Sequence, residues 1–352
     1  SILLQTGFTS YEDLNKTQSD RYQYVLPYYR FDSELFSNDL GRLNLVSNGT
    51  NILKDTNNLR TRIINNIILS SNEFVSYKTG LKSNFNLYLK NSNTIAKEDK
   101  VYKSSPQSEL MNIFEFNTSY PIVREINQST EILSPKISFR FNPSNMKNHA
   151  NTDRTINVNN IFSIDRLGLE DSFESGKSLT AGLDYSKVYE ENNDQFSIKI
   201  ATVFRDQSEN TIPLKTTLNE KKSYIFGGIS YKNEEMLELD YNFASKDILE
   251  NFKYHNVGVN FSLNNFVTEF NFIEENDVLG KGHILENNST FKFDDNNFIS
   301  FKTRRNKEIN LTEYYDLIYE YKNDCLVAGL KFQKTYYKDR DLEPSENLFF
   351  NI

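Results

Sequence analysis

The side chains able to do chemistry are few and scattered. His149, His255 and His283 stand far apart, and none keeps a metal-ligand spacing with another histidine or with the single cysteine, Cys325. His283 closes a Gly-Lys-Gly-His stretch whose glycines could approach a phosphate. No strand-to-helix step follows, so a surface loop is the better reading. No G-x-S-x-G elbow presents a serine nucleophile. The carboxylates of Asp294-Asp295 fall where a tight turn is expected, and aspartate suits turn geometry. Arg304-Arg305 open a longer connection, as a solvated pair or as a contact for anionic lipid. Asn48-Gly49-Thr50 has the form of a glycosylation sequon or, equally, of a turn. The residues support no catalytic, cofactor-binding or metal site, and the chain reads as a non-enzyme.

The elements that carry these residues are strands. Across 352 residues the chain holds 27 Phe and 21 Tyr with no Trp, and glycine and proline are sparse. That bias favours strands, although an AT-rich genome also enriches Asn, Lys, Ile and Phe. Leu81–Leu89 on odd positions alternate with Lys82–Lys90 on even ones. Ile137, Phe139 and Phe141 alternate with Lys136, Ser138 and Arg140. The same period of two runs through 237–243, 256–263, 266–272 and 325–332, and each run reads as a strand with one apolar and one wetter face. No stretch keeps a helical period over three turns. The hydrophobic share is 38% and mean hydropathy is −0.61. No apolar run reaches the ~18 residues of a transmembrane helix. A net charge of −8 argues against a general nucleic-acid binder. One cysteine cannot close an internal disulfide. The chain begins at Ser1 without an initiator methionine, so a fragment or mature segment is expected.

About 18 strands are expected, many near the ~9–11 residues that cross a bilayer at a tilt. Short connections fall near Asn323-Asp324, 294–297, Asn264-Asn265, Asn233-Glu234, 191–194 and 124–130. Longer ones fall near 336–346, 305–312, 276–286, 245–254, 206–222, 142–176 and 91–111. Strict short/long alternation puts tight turns at one end of the sheet and long loops at the other. An outer-membrane barrel has that signature, with periplasmic turns and extracellular loops. A Greek-key sandwich has no reason for it, and a soluble barrel this wide could not fill its interior. An extended soluble β-protein or a surface adhesin is the remaining alternative. Residues 1–352 are therefore expected to form an all-β, antiparallel transmembrane barrel domain.

Several segments resemble the outer-membrane LPS-assembly family LptD (OstA/Imp). They are 132–145 (ILSPKISFRFNPSN), 160–186 with its Asp165-Arg166 pair, 22–31 (YQYVLPYYRF) and the Tyr-rich closing stretch from Tyr314 with its Asp-Cys turn. The resemblance implies that the chain is a partial barrel, lacking the periplasmic N-terminal domain and the first strands. It implies lipopolysaccharide (LPS) as substrate, outer-membrane lipid as surroundings, the plug lipoprotein LptE, and a periplasmic transport bridge reached through the missing domain. No cofactor is implied. Leu348, Phe350 and Ile352 would lie on a strand near the lateral gate, and Lys136, Ser138 and Arg140 would face the lumen. Cys325 would form half of an interdomain disulfide. Some members carry two adjacent cysteines there; here Leu326 follows, which leaves one such bond. A free thiol is the alternative for Cys325, and a porin-like or substrate-specific diffusion channel is the alternative function. A porin would show an inward-folded loop with clustered charges; 142–176 is long enough, but its charges are expected to be spread out.

Overall fold

The period-two segments pair in chain order into one antiparallel sheet. A computed structural model describes residues 2–12, 22–54, 57–99, 102–126, 128–233, 236–248, 250–336 and 344–351. The strand segments are β1 (Ile2–Glu12), β2 (Tyr22–Asn38), β3 (Gly41–Lys54), β4 (Asn58–Ser71), β5 (Phe74–Val75), β6 (Lys82–Lys97), β7 (Gln107–Ser119), β8 (Ile122–Ile126), β9 (Ser129–Asn142) and β10 (Gly176–Tyr189). They continue as β11 (Gln195–Arg205), β12 (Ile225–Asn233), β13 (Leu237–Asp247), β14 (Glu250–Leu263), β15 (Phe266–Glu275), β16 (Gly282–Lys292), β17 (Asn297–Asn306), β18 (Leu311–Lys322), β19 (Val327–Thr335) and β20 (Ser345–Asn351). β5 extends β4 along β6, and β8 extends β7 along β9, so the twenty segments make eighteen strands. Among the described pairings β1 bonds only to β2 and β20 only to β19, which leaves both as edges.

Because each strand is antiparallel to the next, alternate connections lie at opposite rims. Their lengths alternate less strictly than expected. The 245–254 connection is not a long loop, because β13 and β14 pair out to Asp247 and Glu250. The 305–312 connection shrinks likewise, and Arg304 and Arg305 belong to β17, opposite Tyr314 and Thr312 across a bulge. Strand ends tolerate polar side chains because the ladder is made by the backbone. Asn48-Gly49-Thr50 lies inside β3 and is not a turn. Several strands run to 14 residues, beyond the expected ~9–11. Ile352 and residues 100–101, 127, 234, 249 and 337–343 of the expected connections lie outside the described residues.

Burial is inverted relative to a soluble protein. Ile137, Phe139, Leu179, Leu183, Ile198 and Phe204 are exposed on one face of the sheet. On the other face Ser138, Arg140, Ser178, Thr180 and Arg205 are buried. The segments 143–175 and 206–224, which contain almost no regular structure, cover that second face. They supply most of an apolar cluster that includes Ile156, Val158, Ile161, Leu167, Ile212 and Leu218, packed on Ala201, Val203, Phe226 and Ala244 of the sheet. Glycine makes room for them: a Cβ at Gly182 would meet the Phe162 ring at 2.7 Å, and one at Gly228 would meet Val158 at 3.0 Å.

Candidate functional site

Strand register assembles the site. Glu115 of β7 stands opposite Arg140 of β9, Arg140 opposite Ser178 of β10, and Ser178 opposite Arg205 of β11. Their side chains form one transverse row on the covered face, and segment 143–175 docks on this row with Arg166 and Glu174. Arg166 grips Glu174 with both ends of its fork, at 2.6 Å each, and donates to Thr180 Oγ1 at 2.9 Å and Ser178 Oγ at 3.1 Å. Arg205 donates to Glu174 and to the Ser175 carbonyl. Arg140 donates to Glu115 and to the Ser163 carbonyl, both at 2.6 Å, and lies 3.8 Å from Glu174. Three guanidiniums thus share two carboxylates, with every side chain at most 3% exposed. Burial by itself would raise the Glu174 pKa. The cations of Arg166, Arg140 and Arg205 outweigh burial and hold it at about 2. Burial lowers Arg166 to about 10 even though Glu174 opposes the shift.

A second anchor lies one strand away. Lys90 of β6 donates to the carbonyls of Leu169 at 2.6 Å and Ser172 at 3.3 Å, lies 3.6 Å from Asp165, and sits 4.1 Å over the Phe173 ring. Burial pushes the Asp165 carboxyl up against the pull of Lys90. A third anchor ties in Tyr102, which precedes β7. Asp171 accepts from Tyr102 at 2.7 Å and lies 3.2 Å from His149 and 3.4 Å from Lys147. Burial opposes ionisation of Asp171, but His149, Tyr102 and Lys147 prevail and hold its pKa well below the ordinary carboxylate range.

Beside these anchors, between β1–β4, β6 and residues 165–170, lies a cavity of about 740 Å³. Tyr28, Arg62, Asn66 and Lys90 are among its walls. The Tyr28 ring lies over Gly7 on the cavity face, where a Cβ would come within 3 Å, while the Tyr29 ring lies over Gly49 on the opposite face of the sheet.

The residues singled out in the sequence do not meet at one place. Ser138 and Arg140 are buried under segment 143–175, while Lys136 pairs diagonally with Asp184 and is partly exposed. Leu348 and Phe350 lie on β20 opposite Phe332 and Leu330 and are exposed. Cys325 is an exposed thiol in the turn 323–326, where Asn323 Oδ1 accepts the amides of Cys325 and Leu326. Asp294 caps its turn through the amides of Asn296 and Asn297. His283 belongs to β16, not to a loop. The charges of segment 143–175, spread in sequence, are clustered in space. The signal for that cluster was present: Lys90, Glu115, Arg140 and Arg205 each fall at a covered position of an alternating strand, where an ionised group is costly and therefore informative.

A continuous antiparallel sheet that turns leucine, isoleucine and phenylalanine outward and keeps arginine, lysine and glutamate within is the wall of a transmembrane β-barrel. The family description "LPS transport system D" (LptD) matches residues 4–293, and the chain belongs to the LptD family, whose place is the outer membrane. No curated protein matches the chain. One solved structure, described as "Asymmetric conductivity of engineered proteins", overlaps it with a TM-score of 0.30 at 10% identity, over 96% of this chain and 95% of the other.

Proposed function

We propose that this chain forms most of the wall through which LPS is inserted into the outer leaflet. What supports the reading is the family match over residues 4–293 together with a sheet that is apolar on its outer face and charged on its inner one. LPS joins an anionic glycan to several acyl chains. The glycan needs a polar route and the acyl chains an apolar one, and a seam between edge strands offers both. An open edge is costly in a bilayer, so the seam is closed at rest, and Leu348 and Phe350 belong to it. Lys136, Ser138 and Arg140 face the lumen, which segments 143–175 and 206–224 fill only in part. The remaining space accommodates a plug such as LptE. Transport energy comes through a periplasmic bridge, and the chain acts without a cofactor. Cys325, at the turn rim, forms a disulfide with a periplasmic domain outside residues 1–352.

The second reading, a diffusion channel, is favoured by the inward-folded segment 143–175 with its clustered charges. One experiment separates the two. The parent protein is depleted, new LPS is pulse-labelled, and its arrival at the cell surface is followed. Arrested LPS with normal assembly of other barrels supports transport. Normal LPS arrival with reduced uptake of small solutes refutes it in favour of the channel.

A further inference from the structure

Glu170 is an unusual partner for Arg62. It sits on segment 143–175, 108 positions away in sequence, with its own side chain 64% exposed while that of Arg62 is 15% exposed. The pair closes the cavity wall at the point where the segment meets β4. Behind that wall two polar atoms are shut off from solvent with no hydrogen-bond partner among the described residues: Arg62 Nε, and Asn66 Oδ1 on a residue more than nine-tenths buried. Arg30 of β2, more than half exposed, supplies a second cation, and the Tyr28 ring supplies flat apolar surface. Such a wall combines charge-assisted donors for an anion, the amides of Gln5 and Asn48 for hydroxyls, and a ring for the face of a sugar.

We infer that this cavity binds a phosphorylated glycan, and that Glu170 is a built-in stand-in for its phosphate, displaced from Arg62 when substrate arrives. The inference rests on the LPS reading and adds the site and its competitor. The chemistry is exchange of one anion for another on a guanidinium. No covalent bond changes. Because Glu170 is exposed, it returns to water at little cost when the phosphate takes its place, whereas Arg62 is never left unpaired. A buried acid such as Glu174 could not be exchanged in this way.

The test uses the intact parent protein in detergent, freed of bound lipid, with two probes: a deacylated phosphorylated LPS oligosaccharide, and the same oligosaccharide dephosphorylated. The expected result is about a tenfold preference for the phosphorylated probe, abolished by Arg62→Gln and partly kept by Arg62→Lys. Glu170→Gln should tighten the phosphorylated probe severalfold and leave the other unchanged. Lys246→Gln, at a different cleft, should change neither. No preference between probes, or a Glu170→Gln protein that binds the phosphorylated probe no better, would overturn the inference. If LPS surface arrival depends on the protein but this pattern is absent, the site falls and transport stands. If the pattern is present while LPS arrival is independent of the protein, the site stands and the transport reading falls.

Discussion

Replacing Glu174 with glutamine tests whether segment 143–175 is fixed or free. Glutamine keeps the volume and much of the hydrogen bonding but removes the charge that faces Arg166, Arg205 and Arg140. Arg140 would keep Glu115, while Arg166 and Arg205 would be left without a carboxylate. Removing one member of a buried ion pair costs about 3–5 kcal/mol, because the partner charge stays buried without compensation. At ~1.4 kcal/mol per decade, the equilibrium constant for release rises between about a hundredfold and a few thousandfold. Limited proteolysis within 143–175, under conditions where reclosing outpaces cleavage, reads that constant directly. Glu170→Gln is the control: its pair with Arg62 is largely exposed on one side, worth ~0.2–1 kcal/mol, and should accelerate cleavage only a few times. Cleavage of the Glu174→Gln protein at the wild-type rate would show that the row of charges does not hold the segment.

The same cluster sets a pH dependence. Glu174 has a folded pKa of about 2 against an ordinary 4.5, so its contribution to docking is complete above about pH 4.5 and is lost as pH falls through about 2. Asp171 shifts in the same direction, while Asp165, pushed up by burial, is relieved by protonation; pepsin cleavage in 143–175 should therefore stay slow near pH 4 and rise sharply towards pH 2. Gly182→Val should clash with Phe162 and weaken docking by ~1–3 kcal/mol, measured as a loss in thermal or denaturant resistance; Phe162→Ala in the same chain should recover part of it, and simple additivity would disprove the contact. In a Cys325→Ser background, a cysteine at exposed Asn151 should react with an impermeant maleimide on intact cells, and one at Asn296 only after lysis; the reverse pattern would invert the topology. Non-reducing gels of the parent should show a mobility change on Cys325→Ser, and identical migration would remove the disulfide.

Much of this architecture could be read from alternation. The period of two in 136–141 gave β9, its apolar outer set and its polar inner set, because each one-residue step flips the side chain to the other face. Rim parity was legible for the same reason, since each strand reverses direction. Loop length was not: Glu250 and Asn251, or Arg304 and Arg305, are polar residues of a kind found equally in loops and at strand ends. The anchoring cluster was less legible still. Asp165-Arg166 stood out only through a family resemblance, and their partners Lys90 and Glu174 lie at unrelated distances along the chain. The row from Glu115 to Arg205 exists only once three strand registers are known, and no local pattern fixes a register between strands separated by the long segment 143–175.

The placement of the segment bears on how a barrel of this width can work. A sheet of eighteen strands encloses more space than its own side chains can fill, so something else must set where a substrate passes. Here the apolar half of segment 143–175 packs on small residues of β10–β13, while its charged half is fastened to β6, β7, β9 and β11. Both attachments lie away from β1 and β2. The space left open, the 740 Å³ cavity, is bounded by Gln5, Thr9 and Tyr11 of β1 itself. Under the transport reading, a fixed segment on one side confines passage to the other, beside β1. On the same reading that arrangement brings a glycan to the seam through which its acyl chains must leave, with Glu170 the one acidic side chain of the segment that both faces this space and is exposed enough to give way.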